Sequence, residues 1–196
     1  MTNPENFRPK ANWLFVGVAV VVALGLVFAV ASEGDSQMTA AVAAYALAFV
    51  SAVYLAYGRP KVTVFDEGIL IVNPLVAVTI GWQDVEDIDT RFSLSVQYAG
   101  KRINAAAAPA PGRHHARTVH PNELKGVAIP MAEAMRPGDS PRSDSGVAAH
   151  LARSRWAAFQ KGGITGAAMQ VEVNRMGVAL PAVAFALGML LQFLHL

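Results

Sequence analysis

Residues 61–91 read KVTVFDEGILIVNPLVAVTIGWQDVEDIDTR, and this stretch decides the fold. Residues 61–65 and 69–72 are short runs rich in β-branched side chains, separated by Asp66-Glu67-Gly68. Asn73-Pro74 breaks the chain before a third run, 75–80, which Gly81 ends. β-Branched side chains fit a pleated surface, and runs of this length punctuated by turn residues predict an antiparallel sheet. Gly68 suits a turn position with positive φ, and Pro74 has no amide to give to a ladder. Working outward, 82–91 holds Val85 and Ile88 among Asp84, Glu86, Asp87 and Asp89. Residues 92–98 alternate as a strand, Gly100 makes a hairpin turn, and 101–106 returns.

The flanks of this region have a different character. Of 196 residues, 54% are hydrophobic and 15% charged, against about 25% charged in an ordinary soluble domain. That length holds one small domain plus several membrane spans. The net charge is only +2, yet it is unevenly spread. Acids crowd residues 66–89, whereas Lys and Arg dominate beyond residue 100. Such a basic half can face lipid headgroups or an acidic partner, which makes Arg113, Arg117, Arg153 and Arg155 the candidate contacts. With no cysteine, disulfides, thiolate–metal sites and thiol nucleophiles are excluded.

Residues 1–12 are a short polar segment with Arg8 and Lys10 near its end. Residues 13–31 carry no charge; at 1.5 Å per residue they reach about 28 Å, close to the ~30 Å hydrocarbon core. Trp13 stands at the edge, where an indole favours the headgroup layer. Ala29-Val30-Ala31 fits a signal-peptide cleavage pattern, but the apolar run exceeds the usual ~7–15 residues, so 13–31 is read as a retained span. The linker 32–37 holds Glu33 and Asp35 and no Lys or Arg. Residues 38–57 form a second uncharged run in which Ala40, Ala44, Ala48, Ala52 and Ala56 recur at i+4. Small residues in such a ridge let a partner helix approach closely. Tyr54 and Tyr57 follow as interfacial anchors. Residues 176–196 form a third span, with Pro181 a predicted kink and Ala184 and Gly188 a close-packing pair. Arg8, Lys10, Arg59, Lys61 and Arg175 mark one side of the membrane, and Glu33 and Asp35 the other. The positive-inside rule then puts the amino terminus and the sheet in the cytoplasm and the carboxyl terminus outside.

The soluble domain, 60–161, is thus inserted between the second and third spans, giving an α+β class. Within it, 107–145 contains Pro109, Pro111, Pro121, Pro130, Pro137 and Pro141, which argue against a long regular element. A loop of this length is a functional or partner-bound excursion, or disordered. With few large apolar residues of its own, it is expected to be ordered by draping over a neighbour's cytoplasmic surface. Asp144 or Ser145 then caps a helix running to about Gln160, with Ala148, Leu151, Ala152, Trp156 and Phe159 on one face. Arg153 lies off that face, and Arg155 falls within its arc and must snorkel outward. Gly162-Gly163 ends the helix. Trp82, Leu151, Trp156 and Phe159 are the expected large members of the core.

Motifs for chemistry are sparse. His114, His115, His120 and Glu123 are the one cluster of ligand-type side chains, and imidazoles suit zinc or copper. Adjacent histidines in a Pro/Arg-rich loop present no defined face, so a solvated loop accounts for them. Asp84, Glu86, Asp87 and Asp89 could pair as acid and base, but a solvated strand or turn face accounts for them too. No phosphate-binding glycine loop, G-x-S-x-G elbow or H-E-x-x-H occurs. No Asp, Glu, Lys or Arg lies inside a span, which argues against an ion or proton path. No catalytic residue, metal or cofactor is expected, and no small-molecule substrate or nucleic acid.

Several segments together resemble one family, the actinobacterial membrane-anchored bacterial pleckstrin-homology (PH) domains of the low-molecular-weight antigen 6 type. They are residues 62–65 with DEG, IVNPL at 71–75, IGW at 80–82, AAPAPGR at 107–113 and PGDSPRSDSGVAAHLARSRW at 137–156. The resemblance implies a strongly bent antiparallel sheet plugged by its C-terminal helix, with Trp156 docking that helix. It implies a binding or scaffolding module rather than a catalyst. The first turn, Phe65-Asp66-Glu67-Gly68, is acidic and would repel the phosphoinositides that eukaryotic relatives bind there. Size, three spans and a cytoplasmic PH-type domain are similar to the small association factors of actinobacterial respiratory supercomplexes. That implies an accessory or assembly subunit whose partners are cytochrome bcc and aa3-type oxidase subunits. The alternative is a lipid-binding or cell-envelope sensor at the cytoplasmic face.

Overall fold

A computed structural model describes residues 1–111, 137–140, 143–163 and 165–194. In chain order its elements are β1 (Glu5–Phe7), α1 (Ala11–Ala31), α2 (Ser36–Val53), β2 (Lys61–Phe65), β3 (Gly68–Val72), β4 (Val76–Gly81), β5 (Val85–Asp89), β6 (Ser93–Tyr98), β7 (Lys101–Pro109), α3 (Asp144–Gly162), β8 (Gln170–Val173) and α4 (Arg175–Leu194). The class is α+β. The chain divides into two compact units.

The first unit comprises Met1–Arg8, Lys61–Val72 and Ala77–Val171. Its strands form a sheet of order β1-β2-β3-β4-β8 and a second of order β5-β6-β7. The predicted meander is present, with Thr63 opposite Leu70 and Ile71 opposite Val78 in antiparallel register. The β6–β7 turn is a two-residue hairpin in which both Ala99 (φ 46°) and Gly100 (φ 68°) take positive φ, as a primed turn demands. Strands β1 and β8 go beyond the sequence reading, and the strand-or-turn stretch 84–89 resolves as a strand, β5. β1 pairs with β2, Glu5 opposite Val64, so the amino-terminal segment belongs to the sheet. β5 lies in the acidic stretch, and β8 closes the far edge of the larger sheet.

The core is aliphatic around one indole. Val62, Val64, Ile69, Ile71, Ile80, Leu94 and Val96 are fully buried with Phe65 and Trp82. Trp82 sits in a 3-10 turn (Trp82–Asp84) after β4 and donates its Nε1–H to the Phe65 carbonyl at 3.0 Å. Helix α3 starts one residue earlier than its predicted caps. Ser143 is the N-cap, its Oγ accepting from the Gly146 N–H at 3.0 Å, and Gly163 ends the helix in the left-handed region. The helix contacts β2, β5, β6 and β7.

The second unit comprises Pro9–Pro60, Asn73–Val76 and Glu172–Leu196. Among the described residues, three helices are long and apolar enough to cross a membrane: Ala11–Ala31, Ser36–Gly58 and Arg175–Leu194. This makes the chain a membrane protein by length and composition. The Asp35 side chain caps α2 by accepting from the Met38 N–H at 2.9 Å, and α2 ends in a π turn, Tyr54–Gly58. α2 contacts both α1 and α4. Val16, Ala19 and Ala23 of α1, Ala41, Ala44 and Ala48 of α2, and Ala184 and Gly188 of α4 are the buried positions.

Candidate functional site

The first β-turn of the larger sheet is where the unit gathers its charge. Gly68 is required there because a Cβ would collide with the Ile80 carbonyl on the neighbouring strand. The two acids that precede it are both engaged. Asp66 accepts from the Asn3 Nδ2 at 2.7 Å and from the Arg155 guanidinium of α3, which also binds Glu5 on β1. Glu67 accepts from the Thr2 N–H at 2.9 Å and from the Thr2 hydroxyl. The Thr2 hydroxyl, then its amide, holds the Glu67 carboxyl below its ordinary value. The Glu5 carboxylate, more than that of Asp66, holds Arg155 above its own. The Glu67 carbonyl meanwhile accepts from the N–H of Ala167 at 2.8 Å and of Trp82 at 3.3 Å. An open pocket of about 260 Å³ lies beside the turn, lined by Met1, Phe65, Glu67, Thr79, Ala167, Ala168 and Gln170. The acidic turn is therefore covered by residues 2–5 and countered from α3, a relationship that local sequence does not display.

The segment that carries the family resemblance most specifically, 137–156, is occupied by folding. The Gly138–Ser140 stretch is fastened to the smaller sheet's connection. Thr90 donates its hydroxyl to Asp139 at 2.8 Å, and Arg153 reaches Asp139 at 3.0 Å and the Ile88 carbonyl at 2.8 Å. Ser145 donates to the Gly138 carbonyl at 2.8 Å. A side chain at Gly138 would strike the Thr90 carbonyl, and one at Gly146 the Ser140 carbonyl. The serines and glycines of this motif thus build the start of α3.

The structure bears on two expectations about side chains and corrects the second. Arg153 and Arg155, the expected lipid or partner contacts among the described residues, are part-exposed and also pair with acids of their own unit. Trp156, expected to be the buried plug with Leu151 and Phe159, is half-buried, as are those two. The face α3 does bury is made of Ser145, Gly146, Ala148, Ala149 and Ala152. Small side chains let the helix backbone come close to the sheets; of the predicted large core residues, only Trp82 is enclosed.

The alanine ridge also faces inward in part. Ala44 and Ala48 are buried within the chain's own helices, together with Ala41, while Ala40, Ala52 and Ala56 are exposed. A strict i+4 row drifts by about 40° per step around a helix with 3.6 residues per turn, so the buried stripe follows 3–4 spacing instead. Ala184 and Gly188 pack internally as well. The Tyr45 ring lies over Gly188, and its hydroxyl donates to Gln192 Oε1 at 2.8 Å.

Arg113 and Arg117, the cluster His114, His115, His120 and Glu123, and most of the loop 107–145 lie outside the described residues, as does His195. Among the described residues no three His, Asp or Glu side chains come together to hold a metal. No protein-family model, curated protein or solved structure matches the chain.

Proposed function

We propose that this chain is a non-catalytic, membrane-anchored accessory or assembly subunit of a larger membrane complex, and that its soluble unit is a PH-like module. The observation that carries the reading is how fully that unit's interior is used. Trp82, Phe65 and the aliphatic side chains of both sheets are enclosed. The pocket beside the first turn is open, and its carboxylate, Glu67, is already bound by Thr2. A unit filled in this way offers surfaces rather than a reaction cleft. Two antiparallel sheets followed by a helix that buries a small face support the PH-like reading, although a fold by itself does not fix a function.

The sequence resemblance points to cytochrome bcc and aa3-type oxidase subunits as the partners. The basic flanks Lys10, Arg59 and Arg175 support a cytoplasmic amino terminus and soluble unit. A cysteine introduced at Ser36 should then label from outside and one at Lys101 from the cytoplasmic side only; labelling of Lys101 from outside with Ser36 protected would reverse the orientation. The subunit reading is tested in membranes from cells lacking the protein, run on a native gel and stained for oxidase activity. Oxidase should migrate in smaller assemblies than in wild-type membranes. Unchanged migration would contradict the proposal.

A further inference from the structure

The β3–β4 turn, Asn73–Val76, is gripped by residues at the ends of two membrane helices. Arg59, just after the π turn of α2, donates from Nη1 to the Asn73 carbonyl and to the Pro74 carbonyl, the latter at 3.1 Å. Asn174, just before α4, donates its Nδ2–H to the same Pro74 carbonyl at 3.3 Å and its backbone N–H to the Leu75 carbonyl at 2.8 Å. Its Oδ1 accepts from the Gly177 N–H at 3.1 Å, which caps α4. Three successive carbonyls of the turn are thus held by the residues that finish one span and begin another.

The side chain between these contacts is left outside: Leu75 is 58% exposed. Its level along the helices is marked independently. At this same end, Trp13 tilts against Tyr54 with ring centroids 6.4 Å apart, and Phe15 stacks on Tyr57 at 5.0 Å. Lys10 and Arg175 stand exposed at the helix starts. Part-exposed indole and phenol rings flanked by cations mark the headgroup layer of a bilayer. An apolar side chain fixed at that depth by backbone hydrogen bonds leaves water if it enters the lipid, at no further cost in ordering the turn.

We propose that the β3–β4 turn is a membrane-interface anchor in which Leu75 enters the boundary between headgroups and acyl chains of the phospholipid bilayer. This rests on α1, α2 and α4 crossing that bilayer. Because the chain has no cysteine, single Leu75→Cys and Val21→Cys variants of the full chain can each carry one environment-sensitive fluorophore. Val21 is an exposed residue midway along α1. Each is reconstituted in nanodiscs of phosphatidylcholine and phosphatidylglycerol in equal parts. The label at 75 should emit to the blue of its position in water, lose most intensity to a headgroup nitroxide lipid, and resist iodide. The label at 21 should be quenched most by a nitroxide deep in the acyl chains. An aqueous spectrum and iodide quenching at 75, with 21 deep, would overturn the anchor while leaving the spans intact. Aqueous behaviour at both positions would overturn the spans and the anchor together.

Discussion

The guanidinium of Arg155, on α3, lies against the carboxylate of Asp66 at the tip of the β2–β3 turn and reaches Glu5 on β1 with its other nitrogen. One side chain therefore ties the helix, the first turn and the amino-terminal strand together. Part-exposed ion pairs contribute ~0–1 kcal/mol, reduced by salt. A planar fork serving two carboxylates belongs at the upper end, about 1 kcal/mol, and Lys cannot reproduce it. Arg155→Ala should lower the unfolding free energy by that amount and speed amide exchange across Glu5–Phe7. Unchanged protection of β1 would show that strand pairing alone holds it.

The Glu67–Thr2 contact predicts a pH dependence with a definite sign. Because Thr2 depresses the Glu67 pKa below its ordinary value of 4.5, this carboxylate stabilises the folded chain above that unfolded value. The contribution is lost as pH falls through the depressed folded value. Acid titration should release residues 2–5 within that window, and Glu67→Gln should abolish that part of the profile. A wild-type acid profile in the Gln variant would mean that Thr2 and Glu67 are not linked in solution.

The two tryptophans of the first unit should differ in consequence. Truncating an enclosed aromatic costs ~3–5 kcal/mol, and Trp82 is 1% exposed with its N–H bonded. Trp82→Ala should therefore cost ~3–5 kcal/mol by circular-dichroism unfolding in detergent, and Trp156→Ala distinctly less. Equal losses would restore Trp156 as the residue that docks α3.

This contrast shows where sequence patterns stop. Strands β2, β3 and β4 are legible because their β-branched runs are bounded by Gly, Asn and Pro, and β6 because it alternates up to the turn at Gly100. The spans are legible because lipid demands uncharged length. β1 is a three-residue stretch, Glu-Asn-Phe, too short to show a pattern of its own, and it becomes a strand only by pairing with β2. The acids of β5 disguise an edge strand, where charge guards against further pairing. Helical spacing places Ala152 and Trp156 on one face, but it cannot say how far the sheets extend beneath that face. Nor does any local signal bring Arg155 to Asp66 across the fold.

The helical unit offers a matched pair of glycines. A Cβ at Gly188 would lie 2.7 Å from the Tyr45 ring, whereas one at Gly17 meets nothing within 4 Å. Ala in place of Gly favours a helix by ~0.8–1.0 kcal/mol, and overpacking costs ~1–3 kcal/mol. Gly17→Ala should thus raise resistance to unfolding in detergent, and Gly188→Ala should lower it. Ala44→Phe should behave like Gly188→Ala, because Ala44 is buried among the chain's own helices. Opposite ordering of the two glycine variants would exclude the α2–α4 contact.

Membership of a larger complex is tested most directly by purifying the tagged chain from its own membranes in mild detergent and recording a reduced-minus-oxidised spectrum. The chain should elute in one large species carrying b-, c- and a-type haem bands, with bcc and aa3-type oxidase subunits identified in the same fraction. A monodisperse, colourless protein free of partners at several detergent strengths would contradict the subunit reading and leave the cytoplasmic-face lipid sensor in its place.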